Sequence, residues 1–269
     1  MEINQMEAMM SIITRKISAV LMVLILSAGL ISCSSQTEQV PRLSMFVGID
    51  ISGSFVNSGA YENSIAFLAN YLYAHVNGIG EFEEPNVLFV SSIGGVDVAE
   101  TKTFYPIHSF QNKSVTEIEE YLKELYPKDQ LEPITDFNAF FEHVARTVEN
   151  QNLLLRPISV ILISDGVPDY RVNGENLERN FRDINVNMLE RLSRNITIRL
   201  LYTNPSDGRS WQTEVPRRRV KIWTQDADVM ETWDDSTIYI PDLPIEQQER
   251  WMEWTMSNVN YNVRARRVD

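Results

Sequence analysis

The chain has 269 residues, 43% of them hydrophobic, which is enough for one domain with a sizeable core and too apolar for a disordered chain. Its formal charge of −13 gives a surface that repels phosphate backbones, so nucleic acid is excluded as a favoured partner. One cysteine forms no disulfide framework, and three scattered histidines without His-x-x-x-His spacing argue against a transition-metal site.

In chain order, Arg15 and Lys16 precede an apolar run over residues 17–30, followed by small residues and Cys33. That is the layout of an export signal, and the run is too short for a comfortable membrane span. Glu2 and Glu7 ahead of the basic pair leave Met1, Met9 and Met10 open as the start. Leu30-Ile31-Ser32-Cys33 resembles the lipobox of bacterial lipoprotein signals. The resemblance implies a signal peptide over 1–32, cleavage before Cys33, and lipid (palmitate or another acyl chain) on its sulfur and new amino terminus. An ordinary thiol is the alternative. Residues 34–42 are polar and aperiodic, as a tether between lipid and domain would be, giving a 33–42 anchor segment. Ser34 after the cysteine resembles lipoproteins sorted to the outer membrane, so the expected place is the cell envelope, lipid-anchored.

From Leu43 short apolar runs alternate with helical periodicity, the pattern of an α/β sheet covered on both faces. A first strand is expected over 44–51, then a helix with Ile65, Leu68, Ala69 and Leu72 on one face. Residues 87–93 and 101–107 read as an antiparallel pair around Gly94-Gly95, and 114–126 as a charged surface helix. Thr135 or Asp136 caps a core helix bearing Phe137, Phe140, Phe141, Val144 and Val148. Residues 158–163 are a central parallel strand. A long helix is expected over 176–194 with Leu177, Phe181, Ile184, Met188 and Leu192 inward, then strands over 196–202 and 220–223. Beyond Asp226 come a short helical stretch, a second over 245–256, and an extended 261–268.

In such a sheet, loops at the carboxyl ends of parallel strands converge on the switch point. Asp50-Ile51-Ser52-Gly53-Ser54 follows the first strand, Thr135-Asp136 opens a helix, and Asp165-Gly166 follows the aliphatic strand; all three are oxygen-rich. Two carboxylates and three hydroxyls form an all-oxygen set suited to a hard cation, Mg²⁺ or else Mn²⁺ or Ca²⁺, and unsuited to zinc. Hydroxyl donors leave the ion electrophilic enough to take one more oxygen, such as an acidic side chain of a partner. The opposing reading is a plain turn and cap. Phe55 and Val56 beside the site are either partner contacts or packing.

The Asp-x-Ser-x-Ser, Thr and Asp residues, in this order, resemble the metal-ion-dependent adhesion site of von Willebrand factor A domains. The match runs from Ser44 to about Trp223. It implies a Rossmann-like, doubly wound α/β fold with a mostly parallel sheet, one antiparallel edge strand and helices on both faces. By the same resemblance Ser52, Ser54 and Thr135 are direct ligands, and Asp50 and Asp165 hold the metal directly or through water. The domain so implied spans 43–225; the long region ahead of Thr135 and the tail over 226–269, expected as a C-terminal helical extension, depart from a minimal A domain. The expected function is a non-enzymatic binding protein that grips a protein ligand through the metal. Two alternatives are a Mg-dependent phosphohydrolase of the haloacid-dehalogenase type and a structural envelope lipoprotein with no metal role. The first needs an acid two residues after Asp50, where Ser52 stands. The basic islands at Arg217, Arg218 and Arg219 and at Arg264, Arg266 and Arg267 are solvated strand ends or contacts for lipid headgroups or an acidic partner.

Overall fold

A computed structural model describes residues 40–94, 102–168, 171–172, 175–176 and 180–260. β1 (Leu43–Ile49) leads into a one-turn helix α1 (Gly53–Asn57) and the long α2 (Tyr61–Val76). β2 (Pro85–Ser92) and the two-residue β3 (Tyr105–Pro106) follow, then α3 (Val115–Leu125), α4 (Phe137–Asn150) and β4 (Ile158–Ile163). The short β5 (Arg171–Val172) and β6 (Glu175–Asn176) pair with each other outside the main sheet. After them come α5 (Asn187–Glu190), β7 (Ile196–Thr203), α6 (Pro205–Thr213), β8 (Lys221–Asp226), α7 (Ala227–Met230) and α8 (Glu249–Asn258).

The main sheet has the order β3-β2-β1-β4-β7-β8. Its inner pairs are parallel, and β3 runs antiparallel to β2 at one edge. The chain is therefore a doubly wound α/β fold whose winding reverses between β1 and β4, and their carboxyl ends flank the switch-point crevice. Side chains alternate between two cores, as the period of two requires. Met45, Val47, Ile49, Leu88, Val90, Ile161 and Ile163 face α2, α3 and α8. Phe46, Phe89, Val160, Leu162, Ile198 and Leu200 face α4, α5 and α6.

Capping follows local chemistry. Ser114 and Glu117 form a reciprocal capping box on α3. Asp136, and not Thr135, caps α4, its Oδ1 accepting from Ala139 N at 2.9 Å. That leaves the Thr135 hydroxyl available elsewhere.

The long helix expected over 176–194 does not form. Described residues there make β6, a 3₁₀ turn at Phe181–Asp183 and the four-residue α5; Leu177 lies outside them. Asparagines break the periodicity: Asn180 Oδ1 accepts from Arg182 N at 3.0 Å, and Asn185 Oδ1 from Asn187 N at 3.1 Å. Such local bonds offer the backbone an alternative to the helix ladder. Phe181, Ile184, Leu189 and Leu192 still reach the second core.

The edge pair is shorter than expected, because β3 ends in a 3₁₀ turn at Ile107–Ser109; Thr101 lies outside the described residues. The tail after Asp226 packs on the first core. Trp251 of α8 is fully buried and stacks on Phe82 at 5.6 Å, and Trp233 meets Phe67 edge-on at 5.9 Å. The expected extended stretch over 261–268 lies outside the described residues. Among the described residues, no helix is long and apolar enough to cross a membrane.

Candidate metal centre

Asp50 follows β1 directly and has no solvent exposure. Its backbone N–H continues the ladder to Ile163 O at 2.9 Å, which fixes the carboxylate at the switch point. Oδ1 accepts from Ser52 N at 2.8 Å and from the Thr135 hydroxyl at 3.4 Å; Oδ2 accepts from the Ser164 hydroxyl at 2.6 Å.

The turn reading is right for Asp50, which closes an Asx turn onto Ser52 N. The cap reading fails for Ser52, which occupies the N-cap position of α1 without a side-chain cap bond. Its hydroxyl instead lies 3.2 Å from that of Ser54, which is exposed and brings the cluster to the surface.

Thr135 is held by its loop. Glu132 N donates to Ile51 O at 3.0 Å, and Ser52 and Glu132 form an isolated parallel bridge, so residues just before α4 run alongside the end of β1. Gly94 makes room on the other side: a Cβ there would sit 2.1 Å from Ile134 O.

Asp165 follows β4, and its Oδ1 accepts from Val167 N at 3.0 Å. Gly166 adopts φ 81°, and a Cβ would meet Leu200 at 2.9 Å and Thr203 at 3.1 Å. Its carbonyl accepts from the buried Trp211 indole at 2.7 Å. The sharp turn that re-aims Asp165 therefore requires glycine.

Burial and, next, the negative charge of Asp165 raise the Asp50 carboxyl to about pH 6, against the opposing bonds from Ser164 and Ser52. A buried carboxylate within reach of a second, half-buried one carries a cost that a cation would remove. Asp50, Ser52, Ser54, Thr135 and Asp165 thus gather at one place, and their donor chemistry fits a hard divalent ion. Among the described residues, no group of three or more histidine, cysteine or acidic side chains forms a metal-binding cluster.

Ser164, Glu132, Lys102 and Ser92 were not singled out from sequence. Ser164 is buried, donates to Asp50 and accepts from Gly166 N at 3.0 Å; its signal was its place inside Ser-Asp-Gly at the strand end. Glu132 pairs with Lys102 at 2.5 Å and accepts from Ser92 at 3.4 Å. Glu132, Lys102 and Ser92, with Ile51, Tyr105 and Tyr126, line a cavity of about 370 Å³ beside the end of β1. No sequence pattern marks that pairing. Phe55 is wholly buried against Tyr61 and Tyr202, so its role is packing. The histidines stand elsewhere: His75 in the first core against Tyr71 and Phe82, His143 stacked on Phe104, and His108 in the 3₁₀ turn after β3.

No protein-family model matches the chain, and no curated protein does. Among solved structures it is similar to the pilus adhesin SpaC from Lactobacillus rhamnosus GG in its open conformation, at 10% identity and TM-score 0.45. That overlap covers 74% of this chain and 30% of the adhesin. It is similar to the human COPII-coat protein Sec24c at 9% identity and TM-score 0.45, over 71% of this chain and 31% of that one. The SpRpn10 VWA domain overlaps at 16% identity and TM-score 0.34, over 70% of this chain and 89% of that domain. With TM-scores below 0.5, these likenesses carry no weight in the fold assignment, which rests on the strand order and register above.

Proposed function

We propose that this is an exported, lipid-anchored binding protein that engages a protein partner through a divalent cation, Mg²⁺ first among Mg²⁺, Mn²⁺ and Ca²⁺. Asp50, Ser52, Ser54, Thr135 and Asp165 would hold the ion, and Cys33 would carry the lipid. The observation that supports this most is the buried Asp50 carboxylate, set against the charge of Asp165 with hydroxyls from Ser52, Ser54 and Thr135 around it. When bound, the cation supplies an electrophilic position for one outside oxygen, and an acidic side chain of the partner is the natural occupant. The chain's own contribution is positional: Ser164 and the Ser52 amide orient Asp50, and the exposed Ser54 marks the side open to a partner.

A binding role is favoured over hydrolysis because Ser52 stands where a phosphohydrolase built on Asp50 would need its proton shuttle. The test uses Mn²⁺ as probe, with relaxation of solvent protons as the readout and N-acetylglutamate as a stand-in for the partner's acid. Enhanced relaxation on Mn²⁺ binding, reduced when N-acetylglutamate displaces metal-bound water, is expected. Mn²⁺ binding that N-acetylglutamate leaves untouched would sink the acidic-ligand reading. No Mn²⁺ binding at all would favour a structural envelope lipoprotein.

A further inference from the structure

We infer that the sheet edge where β1, β4, β7 and β8 begin is a membrane-facing surface that lies on an anionic lipid bilayer. The inference rests on the lipid-anchor reading of Cys33 and extends it from a point of attachment to an orientation.

The parallel register aligns the strand starts. Ser44 pairs with Ile158, Ile158 with Ile196, and Thr197 with Lys221. Ser44 N donates to Pro157 O and Ile158 N to Asn195 O, each at 2.9 Å. Residues just ahead of these strands are therefore neighbours, and they are basic: Arg42 before β1, Arg156 before β4, Arg194 before β7, Arg218 and Arg219 before β8, with Lys221 opening it. All are exposed except the half-buried Arg156. In a chain of net charge −13 this strip runs against the overall sign. Nearby Glu190 is turned inward, its Oε1 accepting from the Arg218 and Arg219 amides at 2.5 and 2.8 Å. The β2 side differs: Glu83 and Glu84 precede Pro85, and Glu81 and Glu83 line a cavity at this edge with Pro157, Asn195 and Lys221, so carboxylates border the basic strip on that side.

An apolar tip stands in the same strip. Leu154 and Leu155 are 48% and 76% exposed, immediately before Arg156. Leu155 adopts φ 65°, a left-handed backbone that leucine rarely takes, and its N–H donates to Leu192 O at 2.8 Å. A strained leucine held in solvent at a basic edge is the combination that inserts between lipid headgroups. Chain continuity selects the occupant. Arg42 enters β1 at this edge, nine residues after Cys33, and a tether of that length reaches at most roughly 30 Å even when extended. Asp50 and Asp165 stand at the opposite ends of the same strands, so the candidate metal site would point away from the bilayer.

The experiment places an environment-sensitive nitrobenzoxadiazole label on Leu155→Cys in the full lipidated chain, reconstituted on phosphatidylethanolamine/phosphatidylglycerol vesicles. With Cys33 acylated, the introduced cysteine is the single reactive thiol. The control label is on Leu131→Cys, an exposed position beside Gly53 at the other end of the sheet. Flotation reports the anchor, and the label reports the face. The expected result is a blue shift at 155, quenched by brominated lipid and lost in Arg194→Glu/Arg218→Glu, with 131 reading water. Floating chains in which both labels read water overturn the inference alone. A blue shift at 155 that brominated lipid does not quench also overturns it, in favour of contact between copies. Chains that do not float remove the anchor reading and this inference with it.

Discussion

The hydroxyl of Ser164 and the carboxylate of Asp50, 114 residues apart in sequence, meet at 2.6 Å with both residues wholly buried. The bond joins the ends of β1 and β4 across the switch point and fixes which way Asp50 faces. Ser164→Ala should weaken Mg²⁺ binding by about tenfold, as loss of a group that orients a metal ligand does. Calorimetric titration of wild type and variant measures it; equal affinities would deny Ser164 an orienting role.

The pH dependence of stability separates two buried groups of opposite sign. Asp50 titrates at about 6 in the fold against an ordinary 3.8, so the stability its protonation contributes is present below pH 4 and lost as pH rises through 6. His75 is pushed down to about 4 from 6.5, chiefly by burial, so its contribution is present above pH 6.5 and lost as pH falls through 4. Each shift corresponds to on the order of 3 kcal/mol. In chelator, Asp50→Asn should match wild type near pH 4 and exceed its stability by up to that amount at pH 7. Urea unfolding across the range measures the gap, and a gap independent of pH would contradict the assignment.

Gly166 tests the turn that aims Asp165. Alanine there takes on a left-handed backbone and presses against Leu200 and Thr203, so Gly166→Ala should cost roughly 2 kcal/mol and weaken metal binding as well. Unfolding and Mg²⁺ titration of one preparation read both effects.

Leu155→Gly should move stability the other way. Relief of the left-handed strain outweighs the loss of a side chain that is largely exposed, and a gain of roughly 1 kcal/mol is expected in solution. A loss on urea unfolding would mean that the leucine packs where it stands.

The sequence was most legible where burial is two-sided or helical stripes are wide. Residues 158–163 are aliphatic because β4 is covered on both faces, and the Phe137, Phe140, Phe141 and Val144 stripe marks α4. Asp50, Ser52, Ser54 and Asp165 could be singled out because strand ends in an open sheet converge whatever lies between them, and Thr135 by its place at the opening of a core helix. The 176–194 stretch misled because its apolar residues do reach the core, while Asn180 and Asn185 spend their side chains on local backbone bonds. Ser164 went unmarked because a serine ending an apolar strand looks the same whether it bonds a carboxylate or water. The Lys102–Glu132 pair depends on how two loops meet, which periodicity does not encode.

The most direct test of the metal-centre account is thermal unfolding of the protein with and without millimolar Mg²⁺ or Mn²⁺, for wild type and Asp50→Asn. A ligand of the native state stabilises by mass action, by about 2.7 kcal/mol at a hundredfold excess over Kd. The account predicts a metal-dependent rise in Tm for wild type and none for the variant. No rise in wild type at saturating metal, or an equal rise in both proteins, would contradict it.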